Sequence, residues 1–266
     1  MKNYLKETMK KRAVFGMTIY SGSPAVVEIL GNLGFDFVFI DMEHAPLQMD
    51  GLREVILAAR MTGISPLVRV SCPDEIQIRK VLELGAEGVI IPHVKTKEDA
   101  EICVRGAKFP PVGRRGYDSS VRSAVYGSGD YVAGDYINYS NNTELVIPMA
   151  EDYEFIDNIE DIFSVDAIDA INFGPADYAL SKNIRIFYDM NQPDVQQALD
   201  QVLCRAKEKH MAVMAPAVPP IPEKVDALIR KGVNMIICGN DFLCLQMIAN
   251  GIKKDILEKY KNMENQ

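Results

Sequence analysis

Two acidic residues and a histidine follow directly after an apolar run near the start of the chain. Residues 37–40 read Phe-Val-Phe-Ile, and the positions after them include Asp41, Glu43 and His44, with Pro46 ending the stretch. The apolar run is typical of a buried strand, so these side chains lie at its carboxyl end. Acids beside a histidine can bind a metal or provide a general base with an orienting carboxylate. Because the chain has only three histidines, this position is a candidate for catalysis.

Charged residues also occur at three other predicted strand ends. Arg69 lies in the strand "PLVRV", Glu151 follows the strand "ELVIPMA", and Asp177 follows the strand "AIDAINFG". Together with His44, they would provide a position for a hard cation, a base and a group that binds anions. Oxygen ligands of this kind suit Mg²⁺ or Mn²⁺ better than zinc.

Each of these residues also has a purely structural interpretation. Glu151 and Asp177 both begin helices, where the helix dipole favours an acid. Arg69 could belong to a partly buried ion pair, and His44 could hydrogen-bond to a loop carbonyl. Their placement at one face favours the functional interpretation. His93, which ends the fourth strand, is a weaker candidate for a supporting role.

Short apolar runs alternate with amphipathic stretches along the whole chain. Eight predicted strands alternate with helical patterns, and several strands are continuous apolar runs, as in a parallel sheet covered on both faces. This α/β pattern predicts a (β/α)8 TIM barrel, in which the carboxyl ends of the strands line the active site. A doubly wound open sheet is the alternative, but no Gly-x-Gly-x-x-Gly follows the first strand. Residues 1–266 are predicted to form a single domain.

Two segments fall outside this alternation. Residues 109–143 form a polar insertion between the fourth helix and the fifth strand, which is too long for an ordinary connection. This insertion begins at the amino-terminal face of a barrel, so it must either form an interface or return to the mouth. Residues 241–262 predict an additional C-terminal helix with an apolar stripe, which requires a partner surface in its own chain or in another. The stripe consists of Phe242, Leu245, Ile248, Ile252 and Ile256.

The composition argues against several classes of partner. The formal net charge of −8 and the scattered lysines and arginines disfavour nucleic acid or an anionic membrane. No apolar run approaches the ~20 residues of a membrane span, and the charged start of the chain does not resemble a secretory signal. The five cysteines form no Cys-x-x-Cys pair, which is typical of reduced thiols. We therefore expect a cytoplasmic protein that acts on small molecules.

At these motifs the sequence resembles the HpcH/HpaI aldolases, metal-dependent class II pyruvate aldolases of the 2,4-dihydroxyhept-2-ene-1,7-dioate aldolase type. The matching pieces are "GFDFVFIDMEHAP", "PLVRV", "LELGAEGVIIPHVKTKEDA", "KFPPVGRRGY" and "FGPADYALS", which occur in the family's order. The combination of Asp-x-Glu-His-Ala-Pro with Gly-Pro-Ala-Asp is the specific part of this match. The resemblance implies a lyase that reversibly cleaves a 4-hydroxy-2-oxo acid to pyruvate and an aldehyde.

The resemblance also implies roles for individual residues. His44 would be the catalytic base, Glu83 in "LELGA" would orient it, and Arg69 would bind the carboxylate and oxo side of pyruvate. Glu151 and Asp177 would hold a divalent metal, Mg²⁺, Mn²⁺ or Co²⁺. The pyruvate unit would face the backbone of Gly174, Pro175, Ala176 and Asp177. The family's assembly implies a homo-oligomer, a hexamer in which neighbouring subunits exchange their C-terminal helices.

One position departs from the family pattern. The fifth-strand segment typically reads Gln-x-Glu, whereas this chain has Met149, Ala150 and Glu151. Metal binding through Glu151 survives this change, but an amide that could donate to pyruvate or to a metal-bound water is lost. Tyr178 also replaces a leucine that is usual in the family, which points to a specialised aldehyde side.

Three alternative functions have different requirements of the sequence. An acyl-CoA lyase of the citrate-lyase-β or malyl-CoA type would need a basic groove for the CoA phosphates, and the insertion offers only Arg114, Arg115 and Arg122. A non-catalytic barrel of the same family would not need the charged residues at the strand ends. A Schiff-base aldolase would need a lysine in the sixth strand, "AIDAINFG", which has none.

Overall fold

Eight parallel strands form a closed barrel in the computed structural model of the chain, which describes residues 4–186 and 189–261. Neighbouring strands pair in sequence order, and the last strand closes the barrel on the first. The strands are β1 (Val14–Ile19), β2 (Phe37–Asp41), β3 (Ser65–Arg69), β4 (Gly88–Ile91), β5 (Leu145–Ala150), β6 (Ala170–Phe173), β7 (Ala212–Pro216) and β8 (Met235–Asn240). The predicted TIM barrel is confirmed, and the open-sheet alternative is wrong.

The described residues form thirteen α-helices, most of which cover the outside of the barrel. They are α1 (Tyr4–Thr8), α2 (Pro24–Asn32), α3 (Met49–Thr62), α4 (Glu75–Glu83), α5 (Lys97–Ala107), α6 (Ala133–Thr143), α7 (Tyr153–Asp157), α8 (Ile159–Phe163), α9 (Pro175–Ser181), α10 (Pro193–Glu208), α11 (Pro222–Lys231), α12 (Asp241–Ile252) and α13 (Glu258–Lys261). α2, α9, α10 and α11 each have a proline in the first turn, where its missing N–H leaves no hydrogen bond unmade. Thr96 and Asp99 form a capping box at the start of α5.

The barrel interior is a packed apolar core, closed at its amino-terminal end by α1. This helix places Leu5 and Met9 in the inner core, and Lys6 Nζ donates to Asp169 Oδ1 at 2.5 Å, just before β6. The sequence pattern does not predict α1, because one turn of helix is too short for a periodic signal. The strands contribute an inner layer that includes Phe37, Phe39, Leu67, Ile90, Ile147, Met149, Met214, Met235 and Ile237. The carboxyl end is therefore the open end of the barrel.

The insertion at residues 109–143 contains a 3-10 helix (Arg122–Gly127) and α6. The sequence pattern does not predict α6, because its sequence "AGDYINYSNNT" is rich in residues with low helix propensity. It is held instead by tertiary contacts: the Tyr136 ring packs edge-on against Phe109, and buried Arg115 forms an ion pair with Glu144. The insertion leads into the start of β5 and does not return to the mouth of its own chain. Of the two expected destinations, the return to the mouth is wrong, and an interface stays a prediction.

The C-terminal helical segment projects its apolar side chains into solvent in the single chain. α12 has no buried residue. The side chains of the predicted stripe are between 48% and 68% exposed: Phe242 48%, Leu245 68%, Ile248 67%, Ile252 49% and Ile256 50%. In the same chain Phe242 stacks on Tyr20, but among the described residues the other four side chains of the stripe have no covering surface, so exchange with another subunit stays a prediction. Residue 262 of the predicted helix lies outside the described residues. Within the described part of the chain, no helix is both long and apolar enough to cross a membrane.

Candidate active site

A cavity of about 350 Å³ opens at the carboxyl end of the barrel. Its lining includes Arg69 from β3, Met149 from β5, Asn172 from β6 and Asp177 at the start of α9. Its outer wall is largely apolar, formed by Tyr20, Phe173, Pro216, Val218, Pro220, Ile237 and Leu243. Among the described residues that line it, Arg69 is the only one with a cationic side chain. The strand ends therefore converge as the sequence predicts.

A buried ion pair between neighbouring strands fixes Arg69. Its Nε donates to Asp41 Oδ1 at 2.9 Å and its Nη2 donates to Asp41 Oδ2 at 2.7 Å. Nη1 lies 2.9 Å from Glu43 Oε2. Burial alone would lower the pKa of Arg69, but the hydrogen bonds and charges of Asp41 and Glu43 outweigh it and raise the pKa. The guanidinium is therefore a permanent cation, and the three contacts leave two of its five N–H groups for a ligand.

Asp41 also shapes the turn that carries Glu43 and His44. Its Oδ1 accepts the backbone N–H groups of Glu43 at 2.9 Å and of His44 at 3.4 Å. The His44 side chain is 59% exposed, and its Nε2 lies 3.7 Å from Glu43 Oε2. It borders an adjoining depression that shares Tyr20, Asn240 and Leu243 with the main cavity. His44 thus stands at the rim of the cavity, where it can reach the outer part of a bound molecule.

His93 links the two acidic groups of the mouth. Its Nε2 lies 3.1 Å from Glu43 Oε1, its Nδ1 lies 2.9 Å from Asp152 Oδ2, and its backbone N–H donates to Glu151 Oε1 at 2.8 Å. Its φ of +53° is unusual for a residue with a side chain, which is common at functional sites. Burial opposes the charged ring, but the hydrogen bond with Asp152 and the charges of Glu151, Asp152 and Glu43 raise its pKa. The sequence indicated His93 only weakly, and it missed Asp152, whose one signal is its position next to Glu151.

Glu151 is buried and incompletely paired. Oε1 accepts from His93, whereas Oε2 has no hydrogen-bond partner among the described residues. A side chain at Gly174 would place its Cβ 2.7 Å from Glu151 Cβ and 3.0 Å from Oε2, so this approach requires glycine. Burial is the main cause that raises the pKa of Glu151, which reaches about 7. The hydrogen bond and the charge of His93 oppose this increase, whereas the charges of Asp177 and Glu43 add to it.

Glu151 and Asp177 have the carboxylate oxygens that a divalent cation such as Mg²⁺ prefers. Oε2 is unpaired, and burial together with the charge of Asp177 raises the pKa of Glu151, as expected for a buried carboxylate near a second one. The described residues contain no cluster of three or more His, Cys, Asp or Glu side chains arranged for a metal. Two carboxylates nevertheless suffice for Mg²⁺, which commonly takes its other ligands from substrate and water.

In metal-free protein, Glu151 is expected to lower stability as the pH rises. Its pKa in the fold, about 7, is above its ordinary value of 4.5. The stabilising contribution of the neutral form is therefore fully present below pH 4.5 and is lost as the pH rises through about 7. Without metal, Glu151→Gln should melt higher than the wild type well above pH 7, and the difference should shrink towards pH 4.5.

The measurement is thermal unfolding across this range in the presence of a chelator. Glu154→Gln is the matched control, because Glu154 lies near Lys95 rather than the carboxylate pair and should leave the profile unchanged. A profile of Glu151→Gln parallel to that of the wild type would contradict the proposed protonation.

Glu83 does not lie at this site within one chain. It is the last residue of α4, and its Oε1 is 3.8 Å from Arg79 Nε. The next residue, Leu84, accepts a hydrogen bond from Arg122 of the insertion. This is the amino-terminal end of the barrel, whereas His44 is at the carboxyl end. The structure therefore brings together His44, Arg69, Glu151 and Asp177, but it does not bring Glu83 to them.

Comparison with known proteins assigns the family. A family model described as HpcH/HpaI aldolase/citrate lyase matches residues 15–246. The chain belongs to this family. A 2-dehydro-3,6-dideoxy-6-sulfogluconate aldolase of Pseudomonas putida is 30% identical over 241 residues, which are 91% of this chain and 91% of the relative. A 5-keto-4-deoxy-D-glucarate aldolase of Escherichia coli (strain K12) is 28% identical over 250 residues, covering 92% of this chain and 94% of the relative.

Solved structures agree with this HpcH/HpaI assignment. A family protein from Burkholderia cenocepacia J2315 has a TM-score of 0.86 at 27% identity, covering 96% of this chain and 99% of the other. The citrate synthase SbnG has a TM-score of 0.84 at 26% identity, covering 99% of each chain. CitE of Mycobacterium tuberculosis, in complex with magnesium and acetoacetate, has a TM-score of 0.57 at 11% identity over 87% of each chain, and so shares the fold alone.

The predicted enzyme class is confirmed by these HpcH/HpaI relatives. Relatives that span most of the chain are aldolases, so the protein is an aldolase, a carbon–carbon lyase. The site geometry and the comparisons therefore indicate the same class of chemistry.

Proposed function

We propose that this protein is a divalent-metal-dependent pyruvate aldolase that reversibly cleaves a 4-hydroxy-2-oxo acid to pyruvate and an aldehyde. The observation that carries the proposal is the buried, half-paired carboxylate of Glu151 beside Asp177, at the mouth of a cavity that contains Arg69. A small oxo acid matches this arrangement, because its carboxylate and oxo group offer oxygens both to a cation and to the guanidinium.

Mg²⁺, Mn²⁺ or Co²⁺ would be held by Glu151 and Asp177. When bound, such an ion acts as a Lewis acid that draws electron density from the oxo group of the substrate. The protein's own part is to present two carboxylate oxygens and to hold Glu151 by the backbone N–H of His93. Gly174, Pro175, Ala176 and Asp177 line the cavity, which supports their proposed position against the pyruvate unit.

Arg69 would bind the negatively charged end of the oxo acid. Both carboxylate oxygens of Asp41 accept hydrogen bonds from the guanidinium of Arg69. The orientation of its two remaining N–H groups is therefore fixed before substrate binds. A charge-assisted hydrogen bond from such a group is stronger than a neutral one. Arg69 would therefore stabilise the negative charge that develops on the oxo oxygen when the bond between C3 and C4 breaks.

His44 would act as the general base. In the cleavage direction it takes the proton of the C4 hydroxyl, the C3–C4 bond breaks, and the electron pair passes into the pyruvate enolate as the aldehyde leaves. Its position at the rim supports this role, because C4 is farther from the buried Arg69 than the carboxylate is. Glu43 lies on the same turn, with its Oε2 3.7 Å from His44 Nε2.

Glu83 would orient His44 only from a neighbouring subunit, because one chain holds the two residues at opposite ends of the barrel. The exposed stripe of α12 and the insertion at the amino-terminal end supply surfaces through which a homo-oligomer, the expected hexamer, could form. The active site would then be composite, with His44 from one subunit and Glu83 from the next.

Mixed oligomers test this composite site. His44→Ala and Glu83→Ala chains should each have low activity alone, whereas co-expressed chains should recover activity in about a quarter of the sites of a random 1:1 mixture, where His44 meets Glu83. Activity of purified mixed oligomers, compared with the sum of the separate variants, is the measurement. Glu75→Ala in place of Glu83→Ala is the control, since Glu75 pairs with Arg105 and its variant should be active alone. No recovery in proven mixed oligomers would contradict the composite site.

The acyl-CoA lyase alternative is not supported by the position of the arginines. Arg115 is buried and paired with Glu144, and Arg122 donates to the carbonyl of Leu84 at the amino-terminal end. Neither is available to CoA phosphates beside the cavity of the same chain. The non-catalytic alternative gives no reason for a buried carboxylate with an unpaired oxygen.

Product analysis separates these functions. Enzyme with Mg²⁺ or Mn²⁺, pyruvate and a panel of aldehydes should consume pyruvate and form 4-hydroxy-2-oxo acids, detected by mass spectrometry. The same enzyme with a 3-hydroxyacyl-CoA such as malyl-CoA should form neither a shorter acyl-CoA nor an oxo acid. Cleavage of that thioester to acetyl-CoA and an oxo acid, without consumption of pyruvate in the aldehyde reactions, would favour the acyl-CoA lyase over the aldolase proposed here.

A further inference from the structure

Asn172 is a buried amide that the mechanism above does not use. It lies in β6 with 3% of its surface exposed, and its Oδ1 has no hydrogen-bond partner among the described residues. It lines the same cavity as Arg69 and Asp177. Polar side chains in protein cores are almost always paired, so an unpaired amide inside a cavity indicates a ligand that completes it.

The neighbouring strands offer Asn172 no partner. In the barrel register, Asn172 lies beside Met149 of β5 and beside Met214 of β7, and both are apolar residues of the inner core. Because side chains alternate along a strand, Glu151 and Gly174 are the next inward-facing positions above Met149 and Asn172. Asn172 therefore lies one layer below the carboxylate of Glu151, towards the closed end of the barrel.

This depth defines which part of a ligand Asn172 can meet. A molecule held by Glu151, Asp177 and Arg69 would place its smallest, innermost end at this layer. In a 4-hydroxy-2-oxo acid that end is the pyruvate unit, which has oxygen acceptors and no N–H or O–H donor of its own. A carboxamide can rotate to present its NH₂ group, which supplies two donors.

We propose that Asn172 is a substrate-binding residue that donates a hydrogen bond from its side-chain NH₂ to an oxygen of the bound pyruvate unit. This inference rests on the proposed function, and it adds a neutral donor to the cationic Arg69 on the opposite part of the cavity wall. Rotation of the carboxamide brings its NH₂ group to the position that Oδ1 holds in the structure, and the oxo acid then supplies the acceptor for this donor.

Asn172→Leu separates binding from folding, because leucine has nearly the same size and no polar atoms. We expect this variant to melt at the same temperature as the wild type or higher, since an unpaired buried amide is removed. We expect its affinity for pyruvate, measured by calorimetry with Mg²⁺ or Mn²⁺, to fall roughly ten- to a hundredfold, the usual effect of losing one hydrogen bond to a charged group. KM for pyruvate should rise by a similar factor, with a smaller change in kcat.

A second substitution tests whether the amide itself matters. Met149→Gln in the Asn172→Leu background returns a carboxamide to the adjacent strand, about 4.8 Å away, and should recover part of the lost affinity. Met214→Leu is the matched control: it alters the other neighbour of Asn172 without changing any hydrogen-bonding group, and should leave pyruvate affinity unchanged. If the leucine variant does not fold, Asn172→Ala provides the same comparison.

The outcomes distinguish this proposal from the one on which it rests. Unchanged pyruvate affinity in Asn172→Leu overturns the role of Asn172 and leaves the aldolase proposal intact. A large fall in melting temperature with unchanged affinity also overturns it, in favour of a structural role. If the metal-loaded wild type binds no pyruvate, both proposals fall. Lower affinity with retained stability, partly restored by Met149→Gln, supports the assignment.

Discussion

Removal of divalent metal is expected to abolish the aldolase activity, and Mg²⁺, Mn²⁺ or Co²⁺ should restore it. Glu151→Gln and Asp177→Asn should each raise the metal concentration needed for half-maximal activity by roughly 100-fold or more, because changes outside the ligand sphere alone cost about 10–100-fold. Both side chains lie at the mouth rather than in the apolar core, so the variants should remain folded. Metal binding by calorimetry and activity against metal concentration are the two measurements.

Glu154→Gln is the control for this experiment. Glu154 is an acid only three residues from Glu151, but it lies beside Lys95 and does not line the cavity, so its variant should keep the wild-type metal affinity. Full activity of protein shown to be free of metal would contradict the role of Glu151 and Asp177. Equal losses in all three variants would point to a general loss of negative charge instead.

His44→Ala is expected to lower kcat by roughly 10²–10⁴-fold, the usual contribution of a positioned acid–base group, with metal affinity nearly unchanged. The reason is that His44 lies at the rim, where C4 of the substrate would be, and not between the two carboxylates. Turnover and metal affinity must both be measured, since a ligand would affect the second and a base only the first.

Two other histidines make this test sharper. His93→Ala should weaken metal binding as well as turnover, because the ring of His93 contacts Asp152 and Glu43 and lies 3.7 Å from Glu151 Oε1. His210 lies at the end of α10, outside the cavity, and His210→Ala should have no effect. If His93→Ala lost turnover with normal metal affinity while His44→Ala stayed active, the base would have to be reassigned to His93.

The barrel and the strand ends of the site could be predicted because both follow from local patterns. Apolar runs identify the eight strands, and the parallel topology then places Arg69, Glu151 and Asp177 at one end without knowledge of their contacts. α6 was not predicted, because residues with low helix propensity form it only through the packing of Tyr136 and the buried pair of Arg115 and Glu144.

The finer features of the site depend on contacts between distant segments. The link between Glu43, His93 and Asp152 joins three loops, so no spacing in the sequence indicates it. Asn172 resembles any polar residue in a strand until its burial and its missing partner are known. Glu83 is separated from His44 by the length of the barrel, a fact that depends on which end of α4 it occupies.

The central claim, formation of a pyruvate enolate at this site, is tested most directly by exchange of the methyl protons of pyruvate. No aldehyde is needed, so the measurement does not depend on the identity of the second substrate. Proton NMR of pyruvate in D₂O, with enzyme and Mg²⁺ or Mn²⁺, should show loss of the methyl signal well above the rate with metal alone. Arg69→Ala or a chelator should abolish this loss, because the negative charge on the enolate oxygen of pyruvate is then no longer stabilised. Exchange no faster than the metal-only control, with folded and metal-loaded protein, would contradict the pyruvate aldolase assignment.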